Sequence, residues 1–427
     1  MYASLFFCTL DYGEIVSNFA FEVLFYLWGF IMSSELPIKK SNSGISTLDS
    51  LSKTLGFSLD ELEEIRSIPL EKRYFKLEKP KTDGTMRTVY RPHHKLKRLQ
   101  RRINKRIFRE LVIWPDFLFG SVPNDNDDED SIKRDYITCA SLHCSAKSIL
   151  KIDIKNFFDN IHKDLVGDVF EGFLCIKSEA KEYMIDVCCA GEFIVQGALT
   201  SSYIASLCLY DIETQVYRRA KRKGLTYTRL VDDITVSSKV YDFDFTQIRK
   251  HIEDMLAEKD LPINFEKSGV FKISTKPLLV HGLRIDHNKP RLPSDEVKRI
   301  RASLHNLISN ATKNNSKTSL PYRIEYNRCM GRINKLGRLG HEKHAVFMEK
   351  IKRVRPMPSF SDVKECKKKL KKLEELYAKG FNKSERYLRN FQLVGHSISL
   401  IKRSDSFSIL AKELRMRLNR IKPNVEK

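Results

Sequence analysis

The sequence predicts an α+β fold with a carboxylate-bearing β region at its centre and a basic, helical C-terminal third. Three observations carry this prediction. Tyr227, Arg229 and Val231 alternate with Thr226, Thr228 and Leu230; Asp232 and Asp233 interrupt the run, and Ile234, Thr235 and Val236 resume it. Two β-rich runs meeting at paired acids predict a hairpin that presents them at its turn. Upstream, Asp153 stands inside the apolar run Ile149, Leu150, Ile152, Ile154, which otherwise reads as a buried central strand. Finally, residues 291–427 hold 34 Lys and Arg against 13 Asp and Glu, whereas residues 1–290 hold 42 against 41. That asymmetry assigns contacts with a polyanion to the last third.

A lone Asp-Asp is most often a solvated turn, but adjacent anions at a hairpin tip repel unless a cation sits there. A carboxylate in an apolar strand is likewise either neutralised or bound to metal. If the two strands pair, Asp153, Asp232 and Asp233 converge on one spot. Such an all-oxygen ligand set suits Mg²⁺, with Mn²⁺ as a substitute. Two ions about 3.5–4 Å apart can activate a hydroxyl and stabilise a leaving pyrophosphate.

Six stretches then carry a family resemblance. They are Met86-Arg87-Thr88-Val89-Tyr90-Arg91-Pro92 followed by Leu96-Lys97-Arg98-Leu99-Gln100; Asp153-Ile154-Lys155-Asn156-Phe157-Phe158; Gln196-Gly197-Ala198-Leu199-Thr200-Ser201; Leu230-Val231-Asp232-Asp233; Asn264-Phe265-Glu266-Lys267; and His281-Gly282-Leu283. In this order, over residues 46–345, the chain resembles prokaryotic reverse transcriptases of the retron and antiphage-defence groups. The resemblance implies a right-hand polymerase with an antiparallel palm sheet. Its divisions are an apolar leader (1–32), N-terminal helices (33–70), fingers (71–147), palm (148–278), thumb (279–345) and a basic helical extension (346–427).

Taken in order, residues 19–32 are strongly apolar, but Asp11, Glu14 and Glu22 accompany them and no Lys or Arg precedes them. A signal peptide needs a positive start, and a membrane span needs about 20 apolar residues. Two readings stand: an extra helix packed on the body, or upstream sequence ahead of a natural start at Met32, the second being favoured. Leu48, Leu51, Leu55 and then Leu59, Leu62, Ile65 predict two helices, the second opened by a Ser58–Glu61 capping box. Residues 73–92 predict a hairpin turning at Thr82-Asp83-Gly84. The acidic run 124–130 reads as a solvated loop. Nine cysteines show no zinc-like spacing and fit a reducing cytoplasm.

The resemblance assigns roles within this frame. Asp153, Asp232 and Asp233 hold metal, and Arg87, Lys76, Gln196 and Gly197 position the incoming dNTP. Phe158 lies beneath its sugar and excludes a 2′-OH. Lys267 is a general-acid candidate for the leaving pyrophosphate, with a surface ion pair as the competing reading. Four residues depart from the family pattern: Cys139 stands for a common asparagine, Ser202 for proline, Leu230 for an aromatic, and His281 for threonine. His143 reads as structural.

Helical stripes follow from Val297 to Leu307 and across residues 329–339, 363–377, 387–400 and 407–421. Many retron enzymes stop near the thumb, so the extension favours a defence-associated enzyme that copies a dedicated non-coding RNA into DNA. A retron enzyme making a branched RNA–DNA hybrid is the next reading. A template-independent, protein-primed polymerase and an RNA-binding scaffold with dispensable chemistry follow. The expected partners are the RNA template, the DNA product, dNTPs and an effector protein, with oligomeric state open and no membrane.

Overall fold

The computed structural model describes residues 35–80, 84–124 and 133–424. The leader, Thr82 and Asp83 of the expected turn, and residues 125–130 of the acidic run lie outside the described residues. The chain forms two compact units, residues 1–290 and 291–427. Their boundary is also the one at which the charge balance changes.

The first unit opens with α1 (Leu48–Leu55) and α2 (Leu59–Arg66). Ser58 and Glu61 form the reciprocal capping box that the sequence predicts. Next, β1 (Tyr74–Pro80) and β2 (Met86–Pro92) pair antiparallel without a bulge, from Tyr74 opposite Pro92 to Pro80 opposite Met86. Then come α3 (His94–Ile103), β3 (Leu118–Phe119), α4 (Tyr136–Leu142) and β4 (Ser148–Asp153). Helices α5 (Ser178–Cys188), α6 (Ser201–Leu207) and α7 (Glu213–Arg222) lead to β5 (Thr226–Leu230) and β6 (Asp233–Ser238). The unit closes with α8 (Thr246–Glu258), β7 (Gly269–Lys272), β8 (Leu279–Val280) and β9 (Leu283–Arg284).

Among the described residues, five strands make the central sheet, in the order β3-β5-β6-β4-β7. The expected all-antiparallel sheet needs one correction, because edge strand β3 runs parallel to β5. The alternation read from sequence sorts the two faces. Leu150, Ile152, Tyr227, Ile234 and Val236 belong to one core with Leu51 of α1, Leu99 of α3, Met184 of α5, Ile204 of α6 and Ile252 of α8. The opposite face carries Thr228, Thr235, Ser237, Lys151, Asp153 and Asp233.

Arg229 breaks the apolar pattern of the core face, and its side chain is 0% exposed. Its Nε and Nη2 donate to the two oxygens of Glu213 on α7, at 2.6 and 2.7 Å. The remaining hydrogens reach the carbonyls of Ala205, Ser206 and Val231. One buried cation therefore joins α7, the C-terminal end of α6 and the turn between β5 and β6. A cation at the end of α6 also meets the negative end of that helix.

Gln196-Gly197 reads in sequence as the opening of the next helix, but residues 196–197 form a loop and α6 begins only at Ser201. Tyr90 N on β2 donates to Gln196 O at 2.7 Å. Gly197 has φ +113, and a Cβ there would stand 2.1 Å from Tyr90 O. The glycine thus admits strand β2 against the loop.

The second unit is helical: α9 (Ser294–Ala311), α10 (Leu320–Arg338), α11 (Lys343–Arg353), α12 (Phe360–Ala378), α13 (Glu385–Ile401) and α14 (Ser408–Arg420). The last three share a core that includes Leu370, Leu373, Tyr387, Ile398 and Leu414. Arg323 on α10 grips Asp362 on α12 through both carboxylate oxygens. Lys364, Lys367, Lys368, Lys371 and Lys372 remain exposed along α12. Among the described residues, no helix is long and apolar enough to cross a membrane.

Replacing Arg229 by Met strands the Glu213 carboxylate without its guanidinium. The expected loss is about 3–5 kcal/mol, as for breaking other buried pairs, read as a lowered denaturation midpoint.

Candidate active site

Strands β4 and β6 pair antiparallel with Asp153 opposite Asp233. The turn between β5 and β6 contains only Val231 and Asp232. Val231 takes φ +61, a left-handed conformation that a β-branched residue rarely adopts. Arg229 holds the Val231 carbonyl at 3.2 Å, and Ile154 N holds the Asp232 carbonyl at 2.9 Å. The strained turn is thereby fixed to both neighbouring strands. Acids 79 positions apart in sequence are adjacent in space.

Each carboxylate has a different setting. Asp153 Oδ2 accepts from Asn264 Nδ2 at 2.9 Å and lies 3.6 Å from Lys267 Nζ. Asn264 N also donates to Asp153 O, and Asp153 N donates to Ser268 Oγ. Residues 264–268 therefore bracket Asp153 through both backbone and side chain. The Asn264 contact is one that sequence reasoning missed, although Asn264 opens the motif quoted for Lys267.

Asp233 Oδ2 lies 3.3 Å from His281 Nδ1 and 3.7 Å from Lys151 Nζ. Burial works against its charge, but His281 and Lys151 outweigh burial and hold its carboxyl below the ordinary value. Asp232 behaves in the opposite way. Burial, reinforced by the charges of Asp153 and Asp233, raises its carboxyl above the ordinary value, with Lys267 opposing. Its charge is thus the least compensated of the three, and a divalent cation beside it would relieve the repulsion. The hard oxygen donors of Asp153 and Asp232 fit Mg²⁺ or Mn²⁺.

Among the described residues, no three acidic, imidazole or thiol groups are gathered into a metal cage. Asp233 faces Lys151 and His281, whereas Asp153 faces Asn264 and Lys267. Two protein carboxylates are enough for an ion that completes its shell with substrate phosphates and water.

The other predicted residues divide. Phe158 is half-buried against the main core, its ring 6.0 Å from that of Phe157. Lys267 is 68% exposed, so the ion-pair reading describes its resting contact. Gln196 and Gly197 lie against Tyr90 of β2. Arg87 and Lys76 do not share a face. Arg87 is opposite Lys79 and Lys76 is opposite Tyr90. One pleat therefore carries Arg87 with Lys79, and Lys76 points the other way. Lys79 is a cation that motif spacing does not single out, because the pairing register is not visible without the turn.

Beneath the carboxylates, His143 is fully buried. It bridges Ser237 Oγ at 2.7 Å and Thr228 Oγ1 at 2.8 Å, and burial pushes its imidazole down to about 3. It is a neutral structural histidine.

Residues 79–298 match the family model described as reverse transcriptase (RNA-dependent DNA polymerase). The retron Ec48 reverse transcriptase of Escherichia coli is 54% identical over 92% of this chain and 97% of its own length. The retron Se72 reverse transcriptase of Salmonella heidelberg (strain 579083-10) is 30% identical over 83% of this chain and 92% of its own. The retron Ec86 reverse transcriptase of Escherichia coli is 27% identical over 62% and 79% respectively. The first match is too long to leave out most of the C-terminal helices, so the extension does not argue against the retron group, a correction to the reading from sequence. With a right-hand polymerase fold and the acidic hairpin at its centre, the chain belongs to the retron reverse transcriptases and is an RNA-directed DNA polymerase.

Proposed function

We propose that this polymerase copies one dedicated non-coding RNA into DNA, that Asp153 and Asp232 hold the divalent metal for nucleotidyl transfer, and that the setting is bacterial antiphage defence in the cytoplasm. The single observation that carries the metal assignment is the pairing of Asp153 with the Asp232–Asp233 hairpin. The long match to a retron enzyme favours a branched RNA–DNA product over protein-primed synthesis or a scaffold role. Binding of a nucleic-acid backbone is supported by the second unit, whose exposed lysines on α12 offer phosphate contacts. An effector protein and an oligomeric assembly fit this setting as further partners.

Bound Mg²⁺ supplies the Lewis acidity that activates the primer hydroxyl and stabilises the leaving pyrophosphate. The protein's own residues do the positioning. Asn264 and Ser268 fix Asp153, and Arg229 fixes the turn that presents Asp232. Arg87 and Lys79, on one face of the β1–β2 hairpin, stabilise negative charge on the triphosphate. The loop at Gln196 and Gly197 joins that hairpin to α6. Phe158 limits the space at the sugar. Lys267, 3.6 Å from Asp153 Oδ2 at rest, would serve as the proton donor to pyrophosphate. Residues 71–147, 148–278 and 279–345 serve as fingers, palm and thumb.

Sequencing the nucleic acid that copurifies with the protein tests the template assignment. A defined DNA complementary to one RNA is expected, absent from Asp232→Asn protein; heterogeneous DNA unrelated to a bound RNA contradicts it. Lys79→Ala is expected to raise the KM for dNTP more than Lys76→Ala in primer extension, and the reverse order removes the face assignment. Phe158→Ala is expected to raise ribonucleotide use relative to dNTP by about tenfold or more; an unchanged ratio returns Phe158 to core packing.

A further inference from the structure

Two departures from the family pattern, 142 positions apart, touch each other beside the active carboxylates. Cys139 Sγ on α4 lies 3.3 Å from His281 Nε2, and the other ring nitrogen, Nδ1, lies 3.3 Å from Asp233 Oδ2. The contacts continue inward: Cys139 Sγ reaches Thr228 Oγ1 at 3.3 Å, and Thr228 Oγ1 reaches His143 Nε2 at 2.8 Å. A side-chain chain thus runs from Asp233 through His281, Cys139 and Thr228 to His143.

The backbone explains how His281 gets there. It is the first of two turn residues between β8 and β9, with φ +48, followed by Gly282 with φ +77. Positive φ at both positions is the signature of a tight type I′ reversal, whose preferred sequence is Asn-Gly. The imidazole is 9% exposed, so the tip is packed rather than waving in solvent. Hydrogen-bond accounting fixes the tautomer. An ionised Asp233 only accepts, so Nδ1 carries the hydrogen that faces it. Burial pushes the Cys139 thiol up to about 12, so the sulfur keeps its proton beside Nε2.

We propose that His281 is a positioning residue for nucleotidyl transfer: seated on Cys139, it holds the Asp233 carboxylate against Lys151 and away from the Asp153–Asp232 pair. The proposal rests on the metal assignment above. Without this restraint, a third negative charge can swing into the metal site, or the hairpin tip can shift relative to Asp153. Partners that orient metal-site carboxylates change activity by about 10–100-fold when removed.

The choice of variants separates the role from general packing. Asn places an amide nitrogen where Nδ1 stands and suits the turn, whereas Gln places it where Nε2 stands. Primer extension by the full-length protein should show kcat lowered about tenfold or more in His281→Ala and His281→Gln, with the KM for dNTP unchanged. His281→Asn should restore most of kcat. In metal-free protein with ¹⁵N-labelled histidine, the hydrogen-bonded Nδ1–H resonance that His281→Asn removes should move in Asp233→Asn and in Cys139→Ala. Equal kcat for the Asn and Gln variants, or an Nδ1–H resonance indifferent to Asp233→Asn, overturns the proposal. The resonance tests the contact without any metal, while undiminished activity in Asp153→Asn would instead sink the metal assignment on which the proposal rests.

Discussion

The pairing of β4 with β6 is the constraint on which the site depends. Asp153 lies opposite Asp233, and nothing about either residue alone creates a site. A slip of one residue would send Asp153 to the core face and Ile152 to the open face. The register is fixed from the core side by Leu150, Ile152, Ile234 and Val236, all fully or nearly fully buried. It is fixed at the tip by Arg229, whose guanidinium ties the strained Val231 turn to α6 and α7. A left-handed Val persists because its surroundings over-determine it.

Electrostatics then assigns different tasks to three similar residues. Lys151 and His281 compensate Asp233, and Asn264 with Lys267 compensates Asp153. Burial and the charges of Asp153 and Asp233 outweigh a backbone hydrogen bond and Lys267 at Asp232, and its carboxyl rises. A divalent cation beside the acids would turn this repulsion into affinity. The same logic explains why the open face of the sheet is polar beneath the acids, where Thr228, Ser237 and His143 satisfy one another without charge.

Much of this is legible in the sequence. The alternation around residues 226–236 identifies the hairpin and its faces, and the apolar setting of Asp153 identifies a carboxylate that needs a partner. Arg229 is legible in principle, since its place in that alternation puts a charge on the core side. Cys139 and His281 are each visible as departures, but their contact spans 142 positions and depends on a two-residue turn. Motif spacing points to Lys76 rather than Lys79 because it does not reveal which residues share a pleat. Gln196 and Gly197 look like a helix start, yet close approach of β2 takes their backbone instead. The C-terminal helices follow correctly from their stripes, whereas their meaning for subgroup does not, because helix content carries no information about ancestry.

The most direct test locates the metal itself. Crystals of the protein with template, primer and a non-hydrolysable dNTP, soaked in Mn²⁺, would give anomalous-scattering peaks at bound ions. Peaks in contact with both Asp153 and Asp232, with Asp233 still against His281, are the predicted result. Ions bound elsewhere, or none within reach of Asp153, would contradict the assignment of these two acids as the metal-binding pair.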